Sequence, residues 1–270
     1  MLHIVTQTFK TEDWISLQQR YLEKYTKEEF TVWLGYTERP KTPLPDNYKL
    51  VDLSHTKDSH FLQANYTVND VVLPQLEDDD VFIFLDIDAF PCDYGWEAKV
   101  LGHLKEHEVA AMFRYEDLGY YQEQKHYPCP HLAFFATTKK VWIEKKLNWE
   151  LRPGYQNPQF GMQDCLVENS VKVKQMIRTN KFNVHNIMFG VYDDIIYHQC
   201  CAVRGLMTQN PYEGFDLLGR SDIIGPHPWE VEEQIADVIA LNGEIWTSVY
   251  NSIVKDKECN FVKRFFLGKP

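Results

Sequence analysis

Residues 81–85 read Val-Phe-Ile-Phe-Leu, and the chain continues Asp86, Ile87, Asp88. Successive side chains of a strand point to opposite faces, so five large apolar residues in a row need cover on both sides. The run is shorter than a helix and is bounded by an acidic link, Glu77 to Asp80, and by the Asp pair. It therefore belongs inside an open sheet with helices on both faces, which predicts an α/β fold.

The neighbouring sequence supplies the alternation that such a fold requires. Leu2 to Thr8, Phe30 to Thr37 and Tyr48 to Leu53 read as strands. Thr11 to Lys24 carries Trp14, Leu17, Tyr21 and Leu22 at helical spacing, and a helix capped by Ser59 is predicted through Leu76. Ala110 to Phe113 and His131 to Ala136 are further strands, joined by a polar, aromatic loop that includes Tyr115, Tyr120, Tyr121 and Tyr127. Trp142 to Leu147 and Asp164 to Val173 read as helices, Asn183 to Val191 as extended, and Ile195 to Tyr197 as a short strand ending at His198. Beyond about residue 205 turn residues dominate. Two amphipathic stretches, Glu230 to Leu241 and Glu244 to Val254, then precede a basic, aromatic tail. The expected organisation is a main domain over 1–205 and a helical extension over 206–270, with packing on the same domain left open.

Charge and cysteine usage narrow the function classes. With 28 Lys plus Arg against 39 Asp plus Glu, the net charge is −11, which argues against binding a nucleic-acid backbone. The six cysteines form no C-x-x-C pair, fitting neither a zinc module nor a secreted disulfide framework. No run approaches the roughly 20 apolar residues of a spanning helix. A soluble, cytoplasmic protein is the expectation, and the sequon at Asn65 is read as incidental.

The chemistry concentrates where the apolar strand ends. Residues two apart on a strand share a face, so Asp86 and Asp88 are expected to converge at its carboxyl end, where open α/β sheets bind ligands. Adjacent carboxylates repel unless a hard cation lies between them, and Mg²⁺ or Mn²⁺ takes one or two carboxylates together with phosphate oxygens. The plain alternative is a solvated turn. His198, delivered by its own short strand, adds an imidazole suited to Mn²⁺. Gln163 and Asp164 open a predicted helix; Asp164 is either a first-turn residue satisfying helix amides or a carboxylate that orients or deprotonates an acceptor hydroxyl.

The strand ending Leu85-Asp86-Ile87-Asp88, the Pro128-Cys129-Pro130-His131-Leu132-Ala133 segment, Gln163-Asp164 and Ile195 to His198 together resemble the GT-A glycosyltransferases over roughly residues 1–205. The resemblance implies a GT-A-like open mixed sheet with a Rossmann-like N-terminal half. It also implies transfer of a hexosyl or pentosyl group from a nucleotide-diphosphate-sugar donor to a glycan or other hydroxyl acceptor. By similarity, Asp88 and His198 are metal ligands, and Asp86 is a ligand or reaches the ribose or a metal-bound water. Thr6, Gln7 and Thr8 would meet the nucleoside, while His60, Asn65 and Arg204 would belong to the nucleotide-sugar site. The expected cofactor is Mn²⁺ or Mg²⁺. Relatives commonly carry a small residue shortly after the metal histidine, whereas this chain has Gln199, Cys200 and Cys201. Asp164 acting as base opposite the donor gives inversion; Gln163 or Asp164 against the anomeric carbon on the donor side gives retention.

Three rival readings stand beside this one. A haloacid-dehalogenase-type phosphatase would use Asp86 as nucleophile, Asp88 as acid and Asp193-Asp194 as its late acidic pair, but that motif usually follows the first core strand. A nucleotidyltransferase shares the metal logic but needs a Gly-rich basic loop that the N-terminus lacks. A non-catalytic carbohydrate-binding module would draw on the 14% aromatic content. In the tail, Lys255, Lys257, Lys263, Arg264 and Lys269 lie among Phe261, Phe265 and Phe266, a mix that either rests on an anionic membrane or packs its rings on the core.

Overall fold

A computed structural model of the chain describes residues 1–8, 11–56, 60–113, 129–153, 158–182, 189–199 and 246–270. The principal sheet is built from β1 (Leu2–Thr8), β2 (Phe30–Tyr36), β3 (Tyr48–Asp52), β4 (Val81–Leu85), β6 (Val109–Phe113), β7 (Pro130–Thr138) and β8 (Val173–Met176). Their order is β3-β2-β1-β4-β7-β6-β8. Strands β3, β2, β1 and β4 run parallel, as do β6 and β8, and β7 runs antiparallel to β4 and β6. A small antiparallel sheet joins β5 (Ala89–Pro91), β10 (Ile196–His198) and β9 (Gly190–Tyr192).

The apolar run does what its pattern demands. Val81, Ile83 and Leu85 enter one core with α1 (Glu12–Tyr25), α3 (Trp96–Glu106) and the C-terminal helices. Phe82 and Phe84 enter a second core with α2 (His60–Tyr66), α4 (Lys139–Glu144) and α5 (Pro158–Glu168). Both faces of β4 are thus covered. Its antiparallel neighbour β7 is buried over most of its length and makes the sheet mixed, as expected.

Several predicted boundaries move for identifiable reasons. The helix expected through Leu76 continues beyond α2 as a π-helical stretch, Thr67–Val72, and a 3₁₀ turn, Leu73–Gln75, that contains Pro74. The helix predicted over Asp164 to Val173 begins instead at Pro158, a residue favoured in the first turn, and stops when Ser170 adopts a left-handed φ of 49°. Ser170 N then donates to Val167 O and Val171 N to Leu166 O, closing a Schellman motif that releases Val173 into β8. Likewise α4 starts three residues before Trp142, capped by the Thr138 hydroxyl, and ends before Leu147. Helix α3 and strands β5 and β8 have no counterpart among the sequence expectations.

At the C-terminus, the described residues of α6 are 246–255, and α7 spans Phe261–Leu267. Val262, Phe266 and Leu267 are buried, and the Phe266 ring lies 5.5 Å from Tyr197. The described part of the tail therefore packs Phe266 into the core and Phe261 against it while Phe265 stays exposed, and Lys263 and Lys269 pair with Asp93 at 3.1 and 3.3 Å. No described helix is long and apolar enough to cross a membrane.

Candidate metal centre and cleft

The strand stops at Leu85, and residues 86–88 form a turn rather than a continuation of β4. Asp86 N donates to Ala133 O of β7 at 3.2 Å, and Ala89 N returns to Asp86 O at 2.8 Å. The two carboxylates converge because of this turn, which corrects the expectation based on strand alternation. Antiparallel pairing of β10 with β5 sets His198 opposite Ala89, and Gln199 N donates to Asp88 O at 3.0 Å.

One ligating atom from each of Asp86, Asp88 and His198 lies within 4.8 Å of the other two. His198 Nε2 is 3.4 Å from Asp88 Oδ1 and 3.8 Å from Asp86 Oδ2. Asp88 and His198 are buried at 5% and 4% exposure, so their polar atoms are poorly served by solvent. His60, half-exposed, holds Asp86 Oδ1 at 3.0 Å through Nε2. Burial acts to raise the Asp86 carboxyl, but the hydrogen bond from His60 and the nearby charge of His60, His198 and His131 outweigh it. The group is held well below the usual carboxylate range. Burial conversely acts to lower His60, and its hydrogen bond to Asp86 with the field of both aspartates raises it. Two carboxylates and an imidazole in this arrangement suit Mn²⁺ or Mg²⁺ by the chemistry of the donors.

Beside the turn lies a small depression, partly open to solvent, lined by Thr6, Gln7, His60, Asp86 and apolar residues that include Leu132. Thr6 Oγ1 is buried and finds no hydrogen-bond partner among the described residues. With its amide nitrogen facing the His60 carbonyl, Gln7 donates to His60 O at 3.1 Å and accepts from Ala64 N at 2.6 Å, tying β1 to α2. Thr8 Oγ1 bonds Thr11 Oγ1 at 3.0 Å. Asn65 turns elsewhere: its Oδ1 accepts the Trp149 amide at 2.8 Å, which makes it a tether for that segment.

Gln163 and Asp164 sit in the middle of α5, not at its start, so the first-turn reading of Asp164 does not hold. Asp164 Oδ2 is 3.8 Å from Arg152 Nη1, which also bonds Glu168 at 2.8 Å, and Gln163 Oε1 is buried without a partner among the described residues. Arg204 and the tyrosine loop lie outside the described residues. Asp193 and Asp194 occupy the β9–β10 turn, both with positive φ, and Ile195 N closes onto Tyr192 O. Asp193 pairs with His103 and Lys174 at 3.2 and 3.4 Å. The turn is the far end of the hairpin from His198, so these aspartates do not join Asp86 and Asp88 as a phosphatase's late pair.

Two residues of this centre escaped the sequence reading. His131 opens β7, and its ring lies 5.5 Å from that of His198. An antiparallel neighbour begins where β4 ends, so the first residues of β7 had to face the turn; the missing signal was strand direction. Gln18, on α1, is the other.

The fold and centre together define a class: a mixed α/β sheet in which the turn after the central strand presents two carboxylates, and a small second sheet brings an imidazole to them. No protein-family model and no curated protein matches the chain. Among solved structures it is similar to a protein from Desulfovibrio desulfuricans G20 provisionally described as a nucleotide-diphospho-sugar transferase. That match has 8% identity and a TM-score of 0.43, covering 65% of this chain and 79% of that one. It is also similar to galactosyltransferase LgtC in complex with donor and acceptor sugar analogues, at 13% identity and a TM-score of 0.47, covering 84% and 99%.

Proposed function

We propose that this chain is a GT-A-like, Mn²⁺- or Mg²⁺-dependent glycosyltransferase that takes a nucleotide-diphosphate-sugar donor and a hydroxyl acceptor, by expectation a glycan. The observation that carries the reading is the convergence of Asp86, Asp88 and His198 at the carboxyl end of β4, beside a cleft lined by the end of β1. Asp86, Asp88 and His198 would hold the cation. When bound, the cation supplies Lewis-acid stabilisation of the charge that grows on a departing nucleoside diphosphate.

The chain's own residues do the rest. His60 fixes one oxygen of Asp86 and leaves the other facing His198. The unpartnered Thr6 hydroxyl and the floor formed by Gln7 and Leu132 are suited to receive the nucleoside portion. Gln163 and Asp164 are the residues proposed to orient the acceptor, and the anomeric configuration of the product distinguishes their roles.

The test is a thermal-shift screen of nucleoside diphosphates and nucleotide-sugars with and without Mn²⁺. At a free ligand concentration about a hundredfold above Kd, a true donor stabilises the native state by about 2.7 kcal/mol. One nucleotide should bind only with Mn²⁺, and Asp88→Ala and His198→Ala should each abolish that stabilisation. Binding that ignores both Mn²⁺ and the substitutions would sink the metal–diphosphate reading and favour a carbohydrate-binding module.

A further inference from the structure

Gln18 is a buried amide in an apolar stripe. It is 1% exposed on α1, one turn from Trp14 and from Tyr21 and Leu22, all of them fully buried. An amide in such surroundings is costly unless its hydrogen bonds are made. Gln18 makes them in one direction: Nε2 donates to Asp86 O and to Ala89 O, both at 2.8 Å. An amide NH₂ carries two donors, and both are spent on the two ends of the turn that presents Asp86 and Asp88.

The bonding around that turn is closed from three sides. Ala89 N caps Asp86 O from within, Gln199 N holds Asp88 O from the β10 side, and Gln18 clamps residues 86 and 89 from α1. Of these three, the Gln18 contacts are the ones made by a side chain, so they can be removed by substitution without altering the backbone. The geometry points to Gln18 as the positioning residue of the metal centre, fixing the backbone from which both carboxylates project. This rests on the proposed metal-binding role of Asp86, Asp88 and His198. Gln18 touches neither carboxylate nor the cleft; it acts through the turn.

The experiment measures binding of MnCl₂ alone to the full chain by titration calorimetry, well below the melting temperature of every variant. Gln18→Met keeps the volume and removes both donors, and Gln18→Asn is one methylene too short to span both carbonyls. Leu17→Ala, buried on the same helix, controls for lost packing. Partners behind the ligands of a metal typically change affinity by about 10- to 100-fold, so both Gln18 variants should weaken Mn²⁺ by at least about tenfold. Leu17→Ala should lower the melting temperature and leave Mn²⁺ affinity unchanged. Wild-type affinity in a folded Gln18 variant, or an equal loss in Leu17→Ala, overturns the positioning role while leaving the centre intact. Failure of the wild type itself to bind Mn²⁺ overturns the centre and this role together. Recovery of neither Gln18 variant as folded protein also counts against it, because the residue would then be indispensable to α1 packing rather than to the turn.

Discussion

At the scale of single residues, the same side-chain types do different work according to what lies opposite them. Asp86 and Asp88 converge on the shared imidazole of His198, whereas Asp193 and Asp194 sit in a tight turn, Asp193 pairing with His103 and Lys174 and Asp194 with Lys269. Asn65, which the sequence offered as a nucleotide-sugar contact, spends its carbonyl oxygen on the backbone of Trp149. Asn65→Ala is expected to cost about 1–3 kcal/mol, because it leaves a buried amide without an acceptor. Urea denaturation checks this, and an unchanged midpoint would refute the tether. Gln18 shows how much a single position can hide. It completes the stripe of Trp14, Tyr21 and Tyr25, and a polar residue on a core-facing helical position was a visible signal with no visible partner.

At the scale of elements, close approach decides which positions tolerate a side chain. A Cβ on Gly161 in α5 would lie 2.7 Å from the backbone oxygen of Glu150, while one on Gly35 in β2 would lie 2.6 Å from the end of the Leu53 side chain. A backbone oxygen cannot swing away and a leucine methyl can. Gly161→Ala should therefore lose about 1–3 kcal/mol despite the gain of about 1 kcal/mol in helix propensity, and Gly35→Ala should lose less. Parallel chemical denaturation of the two variants gives the ranking, and the reverse order would show that α5 shifts freely against its neighbour. The periodicity of α1, β1 and β4 was legible because each presents an unbroken pattern to one or two cores. The limits of α4 and α5 were not, because Lys146 and Ser170, both with left-handed φ, end these helices where no glycine announces a stop.

At the scale of the whole molecule, distant segments of the chain are joined by a few polar clusters. Asp93 receives Lys263 and Lys269 from the C-terminal segment. Arg20 reaches the carbonyls of Ile253 and Val254, and Tyr25 OH donates to Cys259 O at 2.6 Å. Burial acts to raise the Asp93 carboxyl, but hydrogen bonds from Lys263, Tyr94 N and Lys269 lower it overall. A carboxyl lowered in the folded state stabilises the fold above its unfolded pKa of about 3.9, and that contribution is lost as pH falls through the folded value. Asp93→Asn should cost about 1 kcal/mol or less at neutral pH, given partial solvent screening, and the difference from wild type should vanish in strong acid. Melting temperatures at the two pH values test the sign.

The sequence by itself determined the α/β class, the central strand Val81–Leu85 and the residue types of the centre, because alternation and composition are local properties of a chain. Only the tertiary structure decided that the Asp pair lies on a turn, that β7 runs antiparallel and brings His131 alongside, and that Gln18 clamps the turn from 68 and 71 residues away. Strand order, strand direction and a buried amide's partner depend on contacts between segments far apart in sequence. No local pattern encodes them.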